Sequence, residues 1–276
     1  MLIHEFESGK SIPANTVLFA NAGIQRSVKM SAGKILRKIA NTVLHPLHWE
    51  VVKSPHFKNW RFNMGDALSR AGEHGIEVGT IIDIGASDGK WSKMAMKRFP
   101  AARVLAFEPL RERKPSLDRI KAASNNFDYV LAVAGDTESE ITLHVSEDLD
   151  GSGVCEEGDS QARVVPMTTI DEEVKRRNLP GPYLIKLDTH GFEVPILAGA
   201  ARTLKASSLV IIEVYNFKLN DRCLRFHEMC GYMEEHGFRC YDLVDPLLRQ
   251  KDKAFWQMDI FFAPMQAPMF AYSGYQ

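Results

Sequence analysis

The feature that most constrains this chain begins at Gly79. From there onward, short apolar runs alternate with segments of helical spacing. "TIIDIGA" is a continuous apolar run bounded by glycine, as expected of a strand buried on both faces. "KWSKMAMKRF" follows with helical spacing and stops at Pro100. "RVLAFEP" repeats the strand pattern, "PSLDRIKAAS" the helical one, and "FDYVLAVAG" reads as a third strand. "ESEITLHVSEDLDGSGV" alternates around a Gly-rich turn, which predicts a small antiparallel excursion. "TTIDEEVKRRNL" predicts a helix with Thr169 near a capping pattern. "YLIKLD" is a fourth strand and "FEVPILAGAARTL" its helix. "SLVIIEVY" is a fifth strand, followed by a long helix over "RCLRFHEMCGYMEEHG" that Gly237 closes. "FRCYDLV" and "WQMDIFFA" have no helix between them, so they are predicted to pair antiparallel. Repeated β-α-β units give an α/β class: a mostly parallel, Rossmann-like sheet with helices on both faces.

The first 75 or so residues lack this alternation. "SVKMSAGKILRKIANTVLHPLHWEVVK" is basic and amphipathic, and "RFNMGDALSRAGEHG" reads as a helix ending at Gly75. The expected organisation is an N-terminal helical extension over residues 1–75 and one α/β domain over residues 76–276. The extension is expected to pack on the sheet or cover the site. A substrate lid, a contact in a homo-oligomer and an anionic surface contact are the sharper readings. The net charge of −1 argues against a chain built as a whole to hold nucleic acid. No apolar run approaches the roughly 20 residues that span a bilayer. The N-terminus starts with acidic and polar residues rather than the basic start of a signal peptide. The four cysteines show no C-x-x-C spacing and read as free thiols in a reducing compartment. A cytoplasmic protein is the expectation.

Three segments carry the chemistry. In "DIGASDG", Gly85 and Gly89 flank a turn between a strand and a helix, where backbone can approach a ligand. The G-x-G-x-x-G spacing that seats a dinucleotide pyrophosphate is absent. Asp83 precedes the turn, and an acidic group there suits an ammonium, directly or through water. Glu108 ends the second strand in "AFEPL", where a carboxylate can accept hydrogen bonds from both ribose hydroxyls. Lys186 and Asp188 lie two apart on the fourth strand and so share a face. A lysine inside an apolar strand must be paired. Asp83 and Glu213 are its expected partners, if the fourth strand runs between the first and the fifth.

Together "IIDIGASDG", "AFEP", "TTID", "YLIKLDTHGFEVPILAGA" and "VIIEV" resemble the FkbM family of S-adenosylmethionine-dependent methyltransferases. Its pattern of K-I-D-x-x-G-x-E and then L-x-G-A is filled by Lys186, Asp188, Gly191, Glu193, Leu197, Gly199 and Ala200. The resemblance covers roughly residues 79–263. It implies a class I methyltransferase fold, with a seven-stranded, mostly parallel sheet and an antiparallel last strand, so that residues 76–276 are a methyltransferase domain. It also implies S-adenosylmethionine as cofactor, held by Asp83, Gly85, Ala86, Ser87, Gly89, Glu108 and Pro109. The reaction implied is O-methylation of a hydroxyl on a sugar, a glycan or a secondary metabolite, the acceptor being a small molecule or glycan. Asp188 is expected to position the reactants, and His190 to act as base or to contact the substrate. One departure stands out: His190 replaces the second acid that many members carry, so no carboxylate role, metal ligation included, carries over to that position. No acidic pair commits Asp188 to a divalent cation, and no metal is expected. Glu213, Tyr215 and Asn216 lie where acceptor-binding groups gather. An NAD-dependent oxidoreductase and a catalytically silent binding module are the competing readings.

Overall fold

The computed structural model describes residues 62–155 and 161–275, together with two short strands, Thr16–Val17 and Val28–Lys29, that pair antiparallel. Apart from Val28–Lys29, the basic amphipathic stretch of the extension lies outside the described residues. The chain divides into two compact units, Met1–Trp60 and Arg61–Gln276. The helix expected at the end of the extension is α1 (Met64–Glu73), and it belongs to the second unit. Asn63 caps it by accepting from the Asp66 amide, and its apolar stripe of Met64, Ala67, Leu68 and Ala71 is buried.

The sheet follows from the sequence in order. Strands β1 (Thr80–Ile84), β2 (Arg103–Phe107) and β3 (Phe127–Val130) alternate with helices α2 (Lys90–Arg98) and α3 (Lys114–Ala123). A second set of strands follows: β4 (Val133–Ala134), β5 (Ser139–His144), β6 (Gly153–Val154) and β7 (Ala162–Thr168). Helix α4 (Ile170–Arg176) then leads to β8 (Tyr183–Leu187), and α5 (Glu193–Ala198) and α6 (Ala201–Lys205) lead to β9 (Ser207–Tyr215). Helix α7 (Phe226–Glu235), β10 (Phe238–Leu248) and β11 (Phe255–Pro264) complete the unit. Among the described residues, seven strands form one sheet in the order β10-β11-β9-β8-β1-β2-β3. All its pairs are parallel except those of β11, which runs antiparallel to both β9 and β10. This is the class I methyltransferase arrangement that the resemblance implies.

Burial explains why the central strands read so clearly. Every residue of β1 and β8 is buried, because helices cover both faces. Three elements differ from the sequence expectation. "FDYVLAVAG" is two strands in two sheets: β3 ends the large sheet, whereas β4 turns away to pair with β7. The antiparallel excursion is larger than predicted, because β7 joins β5 and β6 in a four-stranded sheet ordered β4-β7-β5-β6. The helix after β8 breaks in two at Gly199–Ala200. There Asp171 accepts hydrogen bonds from the amides of Arg202 and Thr203 at 2.9 and 2.8 Å, capping α6 from another helix.

Close packing fixes that break. A Cβ on Gly199 would stand 1.9 Å from the carbonyl oxygen of Gly135, which is backbone and cannot yield. Gly231, inside α7, meets nothing within 4 Å. Gly199→Ala is therefore expected to destabilise the fold by about 1–3 kcal/mol through overpacking. Gly231→Ala is expected to leave stability unchanged or to raise it by up to about 1 kcal/mol. Urea unfolding of the two variants beside wild type checks both signs.

Candidate active site

The site forms at the C-terminal ends of β1, β2 and β8, where open α/β sheets bind ligands. A cleft of about 270 Å³ joins the glycine turn to the segment after β8. Its floor includes Gly85, Ser87, Glu108 and Pro109 on one side and Asp188, Thr189 and His190 on the other. The small sheet supplies an apolar wall from Val133, Ala134, Leu143 and Val154. The excursion that interrupts the α/β alternation is thus what encloses the cleft.

The glycine turn is shaped by its neighbours. Gly85 has φ +76°, and a Cβ there would lie 2.0 Å from the carbonyl oxygen of Asp188. Gly85 is needed because β1 and β8 converge at this point. Gly89, also at φ +76°, leaves room for Ile120. Ala86 and Gly89 lie in the turn but not among the cleft-lining residues. Glu108 is buried and accepts from the amides of Ser87 and Leu110, both at 2.8 Å. Each of its oxygens keeps a second lone-pair direction for hydroxyl donors. Burial raises its carboxyl above the usual range, against those two amides. Asp83 lies beneath the floor, fully buried, with Ser92 Oγ donating to it at 2.5 Å. Burial lifts Asp83 to about 6, against the pull of Ser92 and Lys186.

Lys186 sits at the centre of the sheet, paired in register with Asp83 on β1. Its ammonium lies 3.0 Å from Asp188 Oδ2 and 3.4 Å from Asp259 Oδ1. Burial alone would lower the lysine; Asp188, Asp259 and Glu213 override this and hold it charged. Its direct partners are thus Asp188 and Asp259, while the expected Asp83 and Glu213 act on it through space. Asp259 comes from β11, which the antiparallel return brings opposite Glu213. Burial would raise Asp188, but Lys186 overrides that and holds it below the usual carboxylate range.

The turn after β8 explains "DTHGFE". His190 and Gly191 both have positive φ, +52° and +97°. Glu193 holds the turn by accepting from the Gly191 amide at 2.8 Å and the Thr189 hydroxyl at 3.2 Å. A histidine held in the left-handed region costs on the order of 1 kcal/mol, and such strain concentrates at functional sites. His190 Nδ1 lies 2.8 Å from the Tyr215 hydroxyl, and its Nε2 lies 2.9 Å from the carbonyl oxygen of Asp150. Tyr215 in turn makes a short hydrogen bond to Glu213, and Gln257 donates to the other Glu213 oxygen. Burial pushes Glu213 up to about 8, with Asp188 adding to the shift.

The structure brings together Gly85, Ser87, Glu108, Pro109, Asp188 and His190. It also adds groups that the sequence reading missed. The Asp150 side chain lies 2.9 Å from Ser87 Oγ and 2.5 Å from Arg113 Nη2, so the β5–β6 loop straps the glycine turn to the segment after β2. Asp188, His190 and Glu213 place ligand-type atoms within 4.8 Å of one another, an acidic pair plus histidine that the sequence did not disclose. Lys186 pairs with Asp188, and Tyr215 bonds both His190 and Glu213, so each member of this cluster has a protein partner. All four cysteines are free thiols, and among the described residues no helix is long and apolar enough to cross a membrane.

Glu213 generates a pH prediction. Its folded pKa is raised to about 8, so the native state holds a proton that the unfolded state has released. Its contribution is fully present below the unfolded carboxyl pKa and is lost as pH rises toward 8. Stability is expected to fall from pH 5 to pH 8, and Glu213→Gln should make that decline shallower. Urea unfolding at both pH values measures it; equal slopes for variant and wild type would contradict the assignment.

The family model for the methyltransferase FkbM domain matches residues 83–240. Among solved structures, the chain is similar to methyltransferase FkbM from Methylobacillus flagellatus KT, with 18% identity and a TM-score of 0.45 over 66% of this chain and 43% of that one. It thus spans less than half the length of that protein. It is also similar to a putative O-methyltransferase from Klebsiella pneumoniae, with 12% identity and a TM-score of 0.43 over 84% of this chain and 98% of that one. A putative RNA methyltransferase from Pyrococcus horikoshii matches with 15% identity and a TM-score of 0.41 over 85% and 99%. No curated protein matches the sequence. The match covers more than half of the chain, and with the strand order it shows that this protein belongs to the FkbM methyltransferase family, whose class I fold implies S-adenosylmethionine as methyl donor.

Proposed function

We propose that the protein is an O-methyltransferase acting on a hydroxyl of a sugar, a glycan or a secondary metabolite. The observation that carries this reading is His190. It stands at the edge of the cleft with one ring nitrogen on Tyr215 and the other directed at the cleft loop. A neutral hydroxyl must lose its proton as it is methylated, and a histidine so placed suits that task.

The donor set fits S-adenosylmethionine. Glu108 would hold the ribose hydroxyls, Gly85 and Ser87 would form the close backbone, and Pro109 with the apolar wall would contact the base. Asp83 would act on the ammonium end from beneath the floor. When bound, the cofactor supplies an electrophilic methyl group, and its sulfur keeps the bonding pair when the methyl leaves. Asp188, fixed by Lys186, would orient the reactants, and alignment is much of what such a transfer needs. His190 Nε2 would take the acceptor proton once the Asp150 carbonyl gives way to substrate.

Two measurements test the proposal. Isothermal titration should show S-adenosylhomocysteine binding and no NAD binding. Glu108→Ala should weaken that binding by roughly 10- to 100-fold, the loss of hydrogen bonds to a charged group. NAD binding would instead support the oxidoreductase reading. The pH–rate profile of transfer from labelled S-adenosylmethionine, screened over polyhydroxylated acceptors, tests the base. His190→Gln should lower the rate by roughly 10²- to 10⁴-fold. An unchanged profile rules the base role out.

A further inference from the structure

Behind His190 runs a chain of hydrogen bonds that ends on a buried carboxyl. His190 Nδ1 meets the Tyr215 hydroxyl at 2.8 Å, and that hydroxyl meets Glu213 Oε2. Glu213 Oε1 is already taken by the amide of Gln257. A tyrosine hydroxyl has one proton to donate, so it serves either Glu213 or His190. From this constraint we propose that Glu213, acting through Tyr215, sets which ring nitrogen of His190 carries the proton. Glu213 is then a positioning residue, and the inference rests on the proposed role of His190 as base.

The two states follow from donor and acceptor counting. With Glu213 protonated, its O–H donates to Tyr215, Tyr215 donates to Nδ1, and the imidazole proton sits on Nε2. There it donates to the Asp150 carbonyl at 2.9 Å, so Nε2 cannot accept a proton. With Glu213 ionised, Tyr215 donates to the carboxylate and accepts from Nδ1–H. Nε2 then carries a lone pair that can accept on the cleft side once the Asp150 carbonyl gives way to substrate. A proton taken from the acceptor by Nε2 lets the Nδ1 proton pass to Tyr215 and the Tyr215 proton to Glu213, which ends as the carboxylic acid. One proton enters the chain and one is held at its end, so charge and atoms balance.

The groups around Glu213 suit a carboxyl that changes state near neutrality. Asp188 from β8 is also a hydrogen-bond partner of Glu213, so it opposes its ionisation and competes with Tyr215 for its proton, while Lys186 favours ionisation. Asp259 stands opposite it on β11 and shares that ammonium. Burial with Asp188 places Glu213 at about 8. Burial and Glu213 together keep Tyr215 far above the usual phenol range, with Glu193 adding to the shift, so the tyrosine passes protons without becoming an anion.

Nitrogen-15 spectra of the histidine-labelled full chain, with His190 assigned through His190→Gln, read the tautomer directly. The neutral imidazole of wild type should carry its proton on Nε2 below about 8 and on Nδ1 above it. Glu213→Gln cannot ionise, so its neutral imidazole should stay in the Nε2–H form throughout; Tyr215→Phe should lose the switch as well. A single tautomer across the range in wild type overturns the proposal. That result means the Glu213 proton is kept against Asp188 instead, and it needs no variant to fold. A switch that persists in Glu213→Gln also overturns it. Failure of the base reading looks different: His190→Gln would transfer methyl groups like wild type while the tautomer still switched.

Discussion

The structure turns on one buried ammonium. Lys186 lies in the middle of the sheet with Asp188 and Asp259 in contact and Asp83 beside it in register. A buried charge survives only when it is paired, and removing one partner typically costs about 3–5 kcal/mol. The pairing also binds distant parts of the fold to one another. Asp259 belongs to the antiparallel strand β11, so that strand completes the charge balance beneath the site. Asp188 is thereby held ionised at the strand end, where its carbonyl presses against Gly85. The glycine turn, the end of β8 and the last strand therefore share one constraint.

The site is layered on that base. Ionisable groups that are buried or largely so lie below: Asp83, Lys186 and Asp259. Groups that line the cleft lie above: Glu108, Asp188 and His190. The small sheet closes the side, and its β5–β6 loop reaches Ser87, Arg113 and His190 through Asp150. One loop thus touches both the glycine turn and the segment after β8. A methyl transfer needs donor and acceptor aligned and water kept out, and an insertion that walls the cleft on its open side serves both needs.

Much of this was legible in the sequence, for physical reasons. Strands β1, β2, β8 and β9 are covered on both faces, so they read as uninterrupted apolar runs. That Glu108, Asp188 and His190 share one cleft could be read from the sequence because strand ends adjoin the motifs that carry them. Strand β7 was missed because it is half-exposed and carries Pro166, which weakens any strand pattern. The division between β3 and β4 was hidden because a continuous apolar run does not say where it changes sheets. Arg113, Asp150 and Asp259 gain meaning only through contacts far away in the chain, and no local spacing signals such contacts. The partners of Lys186 were misassigned for the same reason: the antiparallel return of β11 was expected, but not its register.

In the proposed function, one bound methyl donor spans the cleft from Glu108 to the pair Asp188 and His190. A crystal structure of the protein with S-adenosylhomocysteine measures this directly. The ribose hydroxyls are expected within hydrogen-bonding distance of Glu108, and the sulfur directed toward the end of β8 with His190 beyond it. A cofactor bound with its sulfur turned away from Asp188 and His190, or with its ribose off Glu108, would contradict it.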